Sequence, residues 1–331
     1  MKILYVLVSS DSDYYYEQAL VSVTSLRYVK PNVFVTLLVD DKTDTTLVGN
    51  RCKLKSLVDE CKVVSFDASV NPIERSRSLK TQMRNLVDGD FLYVDVDTVW
   101  CEPYDENDFT DDVMAVPDGH CLLSEHPLEY KIIETTRKLN FNINQDCHFN
   151  SGVLFMKDSP LAHEFSSLWN DLWRMSCRKR IFVDQPGLNE ANYRMNYFIR
   201  CLPDEYNAQI GRCLNYFASA KIIHYFATWN AGESFYLLAK DSFLKKIKKN
   251  GLGDCEKKIV CNPKKAFDRN TYILNYKMTK YIFSPNGNML LNACQSEKNA
   301  EKRLHCILMG VAKIYYKIIP FLHPIYRMLK K

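Results

Sequence analysis

Residues 91–97, with the sequence FLYVDVD, combine a short apolar run with two carboxylates at its end. Consecutive apolar residues predict a β-strand that is buried on both faces, since a half-exposed strand would alternate with polar residues. Asp95 and Asp97 leave this strand with one residue between them, and carboxylates at that spacing can both reach one hard cation, Mg²⁺ or Mn²⁺. Most D-x-D triplets, taken alone, are solvated turns. The buried strand before it is what favours a metal site.

Strand-like and helical segments alternate on both sides of this stretch. Apolar, often β-branched runs predict strands at 2–8, 33–39, 62–66, 91–94, 114–117, 152–156 and 221–226. Apolar residues at helical spacing predict helices at 17–29, 77–86 and 161–175. Because the strands alternate with helices, the sequence predicts an α/β fold with a mostly parallel central sheet and helices on both faces.

Length and composition restrict the class of protein. The 331 residues, 47% hydrophobic and 25% charged, are typical of a globular chain of about two domains. The 12 cysteines form no C-x-x-C pair and no close Cys/His cluster, which argues against a disulfide scaffold or a zinc site and favours a reducing compartment. The first apolar run is short for a signal peptide, and no run reaches the roughly 18 apolar residues of a bilayer span. We therefore expect a cytoplasmic protein.

Charge is divided unevenly along the chain. The overall charge of +5 combines a net −9 over residues 1–239 with a net +14 over residues 240–331. We expect residues 1–239 to form the main domain and residues 240–331 to form a basic, mainly helical C-terminal extension. Such an asymmetry indicates an anionic partner for the extension. No nucleic-acid-binding motif accompanies the charge, so we expect no nucleic-acid partner.

The end of this extension has two interpretations. Between 304 and 318, apolar residues recur at helical spacing with lysines among them. This pattern suits a helix lying on an anionic membrane surface, which would make the protein peripheral on the inner face of the membrane. It equally suits a terminal helix that packs on the main domain and keeps its lysines in water.

Polar residues that end predicted strands are the first candidates for a binding site. In an open α/β sheet, ligands bind beyond the carboxyl ends of the strands. His224, which follows an isoleucine pair, is also explained as a core histidine. The residues in such positions are Ser9, Ser10, Asp11, Asp40, Asp95, Asp97 and His224.

Four features occur in a fixed order along the chain. A strand leads into a tyrosine-bearing helix start at 9–16 (SSDSDYYY), and the basic residue Lys80 precedes the D-x-D strand. Residues 149–154 (FNSGVL) and the pair Asp184 and Gln185 follow, with His224 further on. In this order the features, which span about residues 1–230, resemble the glycosyltransferases of the GT-A fold, and in particular family 8. The resemblance implies a Rossmann-like fold and an enzyme that uses a nucleotide-sugar donor.

The resemblance implies a divalent cation, Mn²⁺ or Mg²⁺. In the family, the two D-x-D carboxylates and a later histidine hold the ion at the donor diphosphate, and Asp95, Asp97 and His224 match those positions. A cation there is chemically reasonable, because breaking the bond to the sugar leaves negative charge on the departing diphosphate. Mixed carboxylate and imidazole ligands also suit Mn²⁺ better than Ca²⁺.

The resemblance also implies the residues that bind the nucleotide and the diphosphate. Ser9, Ser10 and Tyr15 match the nucleotide-binding region, where a tyrosine stacks on the base; which of the three tyrosines at 14–16 does so stays open. Lys80 matches a basic position near the diphosphate or an adjoining carboxylate, and Asp95 would share in donor binding. Without the resemblance, Lys80 is equally well explained as a solvated helix residue.

Four residues match positions around the donor sugar: Asn150, Ser151, Asp184 and Gln185. Family members retain the anomeric configuration, which requires either a covalent intermediate or attack from the face of departure. A covalent intermediate needs a nucleophile, normally a carboxylate; Gln185 is a poor one and Asp184 is a candidate. We favour same-face attack, with Gln185 orienting the sugar and a diphosphate oxygen accepting the acceptor proton. Asp184 also has a structural interpretation as the N-cap of a helix that begins with Pro186.

With this resemblance and the basic extension, we expect a metal-dependent retaining hexosyltransferase that moves a hexose from a UDP-sugar to a glycan or lipid-linked glycan in polysaccharide assembly. One departure matters: the family continues from its metal histidine with a glycine and a lysine that grip the diphosphate. Here His224 is followed by YFATWN at 225–230. A catalytically silent sugar-nucleotide or glycan-binding protein with a membrane-associating tail is therefore the alternative from another class. Further alternatives are a cysteine hydrolase, which needs a spatial Cys–His pair, and a metal phosphodiesterase, which normally has more ligands.

Overall fold

A seven-stranded sheet forms the centre of the molecule. A computed structural model describes residues 1–143, 146–225, 234 and 236–267, together with the backbone of three later strands. All strands of the central sheet run parallel except the strand Phe149–Met156, which is antiparallel to both of its neighbours. The predicted α/β fold with a mostly parallel sheet is confirmed. In spatial order the strands are β3 (Glu60–Val64), β2 (Val35–Asp40), β1 (Lys2–Leu7), β4 (Phe91–Val94), β7 (Phe149–Met156), β6 (Val113–Pro117) and β8 (Arg200–Cys201).

Helices cover both faces of this sheet. Successive residues of a strand point to opposite faces, so Ile3 of β1 belongs to one buried cluster and Leu4 to another. The first cluster contains Leu20 of the first helix, and the second contains Leu79 of the third. None of the described helices has both the length and the apolar character needed to cross a bilayer. The helices of this part are α1 (Tyr15–Val29), α2 (Asp41–Thr46), α3 (Pro72–Leu86), α4 (Glu129–Leu139), α5 (Pro160–Arg178) and α6 (Gln185–Arg194).

Strand β4 carries the D-x-D segment out of the sheet. Its four residues are fully or almost fully buried between β1 and β7. Val94 pairs with Val153 of β7, and the Asp95 N–H then donates to the Gly152 oxygen at 2.7 Å. This bond holds the backbone of the first carboxylate against the beginning of β7. The carboxyl end of β4 is therefore close to residues 149–154, the third of the four features noted in the sequence.

A smaller sheet brings His224 to the carboxylates. It contains β5 (Thr98–Trp100), β10 (Ile222–His224) and β9 (Ala208–Gln209). Because β5 and β10 are antiparallel, His224 pairs with Thr98, and the Tyr225 N–H donates to the backbone oxygen of Asp97 at 3.1 Å. This pairing brings together Asp97 and His224, which are 127 positions apart in the sequence.

Helix α3 carries the basic side chains of the site. It begins at Pro72 because Asn71 forms a capping box with Glu74: Asn71 Oδ1 accepts from the Glu74 N–H at 2.9 Å, and Glu74 Oε2 accepts from the Asn71 N–H at 3.3 Å. Proline is favourable in the first turn, where no N–H partner is needed. Residues three apart lie on the same face of a helix, so Arg77 and Lys80 point to the same side.

The first part of the C-terminal extension packs on the main domain. Helices α7 (Asp241–Asn250) and α8 (Asp254–Val260) contribute Leu244 and Val260 to the buried cluster that contains α1. Lys248 of α7 donates to the backbone oxygens of Asp11 and Asp13, the second at 2.8 Å. A domain boundary at residue 239 stays a prediction, although side chains on both of its sides share one core.

Sheet formation continues beyond the last strand that the sequence analysis expected. The extension contains a three-stranded antiparallel sheet of β11 (Tyr272–Tyr276), β12 (Thr279–Phe283) and β13 (Met289–Leu291). The described part of the extension therefore contains a sheet beside α7 and α8, whereas the sequence analysis expected no strand after residues 221–226. Tyrosine and isoleucine, which favour strands, recur in β11 and β12. The helix predicted at 304–318 lies outside the described residues.

Candidate functional site

Asp95, Asp97 and His224 form a cluster at the carboxyl end of β4. One ligand atom from each lies within 4.8 Å of the others, and Asp97 Oδ1 and His224 Nε2 are 3.2 Å apart. Burial disfavours the charged form of Asp97, but the His224 imidazole and the Lys80 ammonium hold the pKa of this carboxyl below its usual value. Two carboxylates and an imidazole are ligands that suit Mn²⁺ or Mg²⁺. The three side chains therefore fit a divalent cation.

Gly152 of β7 leaves room for the imidazole. A Cβ atom at this position would lie 2.3 Å from His224 Cε1, 2.8 Å from its Nδ1 and 2.9 Å from Asn150 Oδ1. Ordinary contacts of a Cβ atom are 3.4–4 Å long, so no other side chain fits unless the ring moves. The segment 149–154 thus makes room for His224 in the cluster of Asp95, Asp97 and His224.

Lys80 is enclosed by two carboxylates. Its Nζ lies 3.1 and 3.2 Å from the two carboxylate oxygens of Asp95 and 3.5 Å from Asp184 Oδ2. The Tyr93 hydroxyl also donates to Asp95. With only 2% of its surface exposed, Lys80 is not a solvated helix residue. It lies beside carboxylates, which is one of the two positions that the family resemblance allows.

Asp184 occupies the backbone position of a helix N-cap without acting as one. It directly precedes α6, but its side chain makes no capping hydrogen bond. Its Oδ1 instead pairs with Arg77 Nε at 3.1 Å. Burial disfavours the charged form, but the Lys80 ammonium and the Arg77 guanidinium hold the pKa of Asp184 down at about 2. Asp184 is thus a buried, ion-paired carboxylate.

Arg77 is a site residue that the sequence analysis missed. It lines both of two adjoining clefts, together with Asp95 and Asp97. Burial disfavours its charge, but Asp184 and Asp95 raise the pKa of the guanidinium above its usual value. The signal that could have found it is its spacing of three residues from Lys80 on a predicted helix.

The first cleft, of about 330 Å³, is lined on one side by the loop after β1. Ser9 and Ser10 are among its lining residues. The Ser9 hydroxyl and the Ser10 N–H each donate to the Asp13 carboxylate at 2.7 Å. Asp13 therefore determines the shape of the loop that the sequence analysis assigned to the nucleotide.

The three consecutive tyrosines at 14–16, which follow this loop, have different surroundings. Tyr15 lines the cleft and is 39% exposed. Tyr16 is buried, and its hydroxyl donates to the Asn50 backbone oxygen at 3.2 Å. The Tyr14 ring lies under Lys248 Nζ at 5.2 Å. Of the three rings, the described lining of the cleft includes that of Tyr15, which makes it the ring available for stacking.

The second cleft, of about 270 Å³, holds the residues assigned to the sugar. Asn150, Ser151, Asp184 and Gln185 all line it. Two of them converge on Asp118, since Gln185 Nε2 donates to Asp118 Oδ2 at 2.9 Å and Asn150 Nδ2 donates to Asp118 Oδ1 at 3.0 Å. The predicted sugar-binding residues therefore come together around one further carboxylate.

Asp118 was also missed by the sequence analysis. It is buried, which disfavours its charge, but His126, whose Nε2 lies 3.3 Å from Asp118 Oδ2, and His148 hold the pKa of the carboxyl below its usual value. Asp118 directly follows β6 at its carboxyl end. The rule that singled out Asp95 and Asp97 applies equally to this position, so the signal was present.

Some strand-end candidates lie outside the two clefts. Asp40 is buried and paired with Arg75, and Asp11 pairs with Arg51 at 3.1 Å; neither lines a cleft. Residues 226–230, where the sequence departs from the family 8 pattern, lie outside the described residues. Every residue that the resemblance assigned to the metal, the donor or the reaction lines one of the two clefts.

Comparison with known proteins supports the fold. No family model and no curated protein sequence matches the chain. Among solved structures, the bifunctional glycosyltransferase WbbM matches with a TM-score of 0.50 and 17% identity, over 79% of this chain and 51% of that one. The chain thus spans about half the length of WbbM. At this identity the likeness shows the fold, which is that of the GT-A glycosyltransferases.

Two further solved structures are similar at lower TM-scores. Mouse xyloside xylosyltransferase 1 has 14% identity and a TM-score of 0.45, over 69% of this chain and 98% of that one. The galactosyltransferase LgtC, in complex with donor and acceptor sugar analogues, has 12% identity and a TM-score of 0.44, over 68% of this chain and 87% of that one.

Proposed function

We propose that the protein is a metal-dependent retaining glycosyltransferase that transfers a hexose from a UDP-sugar to a glycan or lipid-linked glycan. The observation that carries the proposal is the position of Asp95 and Asp97 at the junction of the two clefts. A nucleotide sugar has a diphosphate between its base and its sugar. The nucleoside would occupy the cleft at Tyr15, and the sugar would occupy the cleft at Gln185.

The junction contains a cluster of side chains that fits a cation and, beside it, a basic side chain, and both suit a diphosphate. A divalent ion held by Asp95, Asp97 and His224 would offset the negative charge that develops when the sugar leaves. Arg77 would add a cation from the helix side, because guanidinium donors match phosphate oxygens well. In this way Arg77 supplies the charge that family 8 takes from a lysine after its metal histidine.

The surroundings of Asp184 favour same-face attack over a covalent intermediate. Both of its oxygens are ion-paired, Oδ1 with Arg77 and Oδ2 with Lys80. A carboxylate with a pKa near 2 is a weak base, which lowers its value as a nucleophile. In the same-face reaction, the sugar–diphosphate bond breaks, the acceptor oxygen bonds to the sugar, and the acceptor proton passes to a diphosphate oxygen. Gln185, oriented by its bond to Asp118, would position the sugar.

Slow donor hydrolysis is the experiment that tests the function. We expect Mn²⁺-dependent release of UDP from at least one member of a UDP-hexose panel, with retained configuration by NMR. Asp97→Asn should reduce this rate by about 100-fold or more, because the metal supplies several kcal/mol of charge stabilisation. Asp171→Asn, the same charge change at an exposed position of α5, is the control.

The outcomes separate the two classes of function. Turnover that survives chelation, or that is equal in Asp97→Asn and Asp171→Asn, would contradict the metal-dependent mechanism. UDP binding without turnover of any nucleotide sugar would instead favour the catalytically silent binding protein.

We further propose that the basic extension holds the protein on an anionic membrane surface, where a lipid-linked acceptor would be found. The net charge of +14 after residue 239 supports this, because each basic residue near an anionic surface adds about 1 kcal/mol of attraction. Deletion of residues 303–331 should release the protein from vesicles that contain phosphatidylserine while UDP binding persists. Unchanged vesicle binding would refute the anchor.

A further inference from the structure

Side-chain hydrogen bonds connect the carboxylate of the sugar cleft to the histidine of the metal cluster. Asn150 Nδ2 donates to Asp118 Oδ1 at 3.0 Å, and Asn207 Nδ2 donates to Asn150 Oδ1 at 3.0 Å. Asn207 Oδ1 then lies 2.9 Å from His224 Nδ1. Asn150, Asn207 and His224 are at most 4% exposed. The relay of Asp118, Asn150, Asn207 and His224 is therefore a buried series of donors and acceptors, in which each group constrains the next.

Hydrogen bonds to the oxygen and from the nitrogen of the Asn150 side-chain amide determine its orientation. The Gly152 N–H donates to Asn150 Oδ1 at 2.9 Å, and a backbone N–H can bond only to the oxygen of the amide. Asp118, whose pKa is lowered, is ionised at neutral pH and only accepts hydrogen bonds. Asn150 must then direct its NH₂ group to Asp118 and its oxygen to Asn207.

The orientation of Asn207 follows from that of Asn150. Because Asn150 presents an oxygen, Asn207 donates to it with its NH₂ group and directs its own oxygen to His224. A carbonyl oxygen at 2.9 Å from a ring nitrogen is satisfied only if that nitrogen carries a hydrogen. Nδ1 of His224 thus carries a hydrogen, which leaves Nε2, the nitrogen next to Asp97 Oδ1, as the ring atom that could bind a cation.

We infer that Asn207 is a positioning residue that selects the metal-binding tautomer of His224. With the hydrogen of the neutral ring on Nδ1, a cation could be shared by His224 Nε2 and Asp97 Oδ1, which lie 3.2 Å apart. With the hydrogen on Nε2, the ring would donate to Asp97 and cease to be a ligand. Hydrogen bonds from the outer nitrogen of a metal-binding histidine commonly determine its tautomer and orientation. The inference rests on the proposed metal dependence, but the tautomer can be measured without metal.

The first experiment is NMR of metal-free protein labelled with ¹⁵N-histidine. Long-range proton–nitrogen correlations distinguish the two tautomers of each ring, and His224→Gln identifies the signals of His224 among the seven histidines. We expect Nδ1 of His224 to carry a hydrogen. A ring whose hydrogen is on Nε2, with none on Nδ1, in the wild-type protein would overturn the inference, whatever the variants do.

The second experiment measures Mn²⁺ affinity by electron paramagnetic resonance of the free ion. Asn207→Ala should lower the affinity about 10- to 100-fold and should shift the His224 ring towards the tautomer protonated on Nε2. Asn207→Asp keeps an acceptor for Nδ1 and should keep the tautomer. Asn192→Ala, which removes a similarly buried amide that bonds the Ile199 N–H, should leave the affinity unchanged.

The results distinguish failure of the positioning role of Asn207 from failure of the proposed function. Equal Mn²⁺ affinity in Asn207→Ala and the wild type, or an equal loss in Asn192→Ala, would overturn the positioning role. A protein with the Nδ1-protonated ring and the expected Mn²⁺ losses, but without glycosyl transfer, would retain this inference while the proposed function fails.

Discussion

Replacing Gly152 with alanine tests the metal-binding role of His224 with a single methyl group. The new Cβ atom would lie 2.3 Å from His224 Cε1, whereas ordinary contacts begin at 3.4 Å. The ring must therefore retreat by at least about 1 Å. Metal–ligand distances tolerate deviations of only about 0.2 Å, so a retreat of this size removes the imidazole from the ligand set.

The expected effect is large on metal binding and moderate on stability. We expect the dissociation constant for Mn²⁺ to rise about 10- to 100-fold, the range seen when support of a metal ligand is lost. The unfolding free energy should fall by about 1–3 kcal/mol, which is typical of an overpacked site. Gly152 does not adopt the left-handed backbone region that favours glycine, so the contact with the ring and Asn150, and not backbone strain, causes both effects.

A double-mutant cycle separates the ring contact from other effects of the methyl group. In His224→Ala the ring is absent, so Gly152→Ala should then change Mn²⁺ affinity by less than about threefold, although residues in contact are otherwise coupled. The assay is electron paramagnetic resonance of free Mn²⁺, with thermal unfolding as a check of folding. Losses that add fully in the double variant, or wild-type affinity in Gly152→Ala, would refute the reasoning.

Three more predictions follow from the two clefts. Arg77→Gln should weaken UDP binding about 10- to 100-fold in calorimetry, because a charged hydrogen bond contributes about 1.5–3 kcal/mol, and an equal loss in Arg174→Gln, at an exposed position of α5, would contradict this. Tyr15→Ala should cost about 1–3 kcal/mol of UDP binding through lost stacking, whereas Tyr28→Ala, at an exposed position of α1, should cost none. Burial lowers the pKa of His148 to about 4, with Asp118 raising it and His126 lowering it. Since the unfolded histidine, with a pKa near 6.5, takes up its proton first, the unfolding free energy should be highest above pH 6.5. It should fall by about 2 kcal/mol between about pH 7 and about pH 5, and urea titrations that show the same fall in His148→Gln would contradict the assignment.

The sequence was sufficient where a local pattern has one physical meaning. The apolar run at 91–94 predicts β4 and the exit of Asp95 and Asp97, because a short buried strand must end where its polar residues begin. Alternation of strands and helices predicts the parallel sheet, and the order of the family features predicts the other cleft residues. These inferences need only the order of residues along the chain and no tertiary contact.

The sequence was insufficient where a role depends on a tertiary contact. Asn207 lies in a short turn, Asp204–Asn207, before β9, and no periodicity or spacing relates it to His224. The ion pairs that keep Asp184 from capping α6 also require α3 to be in place. Arg77 and Asp118 differ, because helical spacing and strand ends do point to them. Both residues could therefore have been predicted from the sequence.

The two bonds from Lys248 to the backbone of Asp11 and Asp13 have a practical consequence for anyone who wishes to shorten the protein. Those residues border the serines of the first cleft, so the loop there is held in part by a helix encoded almost 240 positions later. A version that stopped at residue 239 would lose this support along with the basic extension. Weakened nucleotide affinity in such a truncation would then say nothing about membranes, and only a cut placed well beyond α8 separates the two effects.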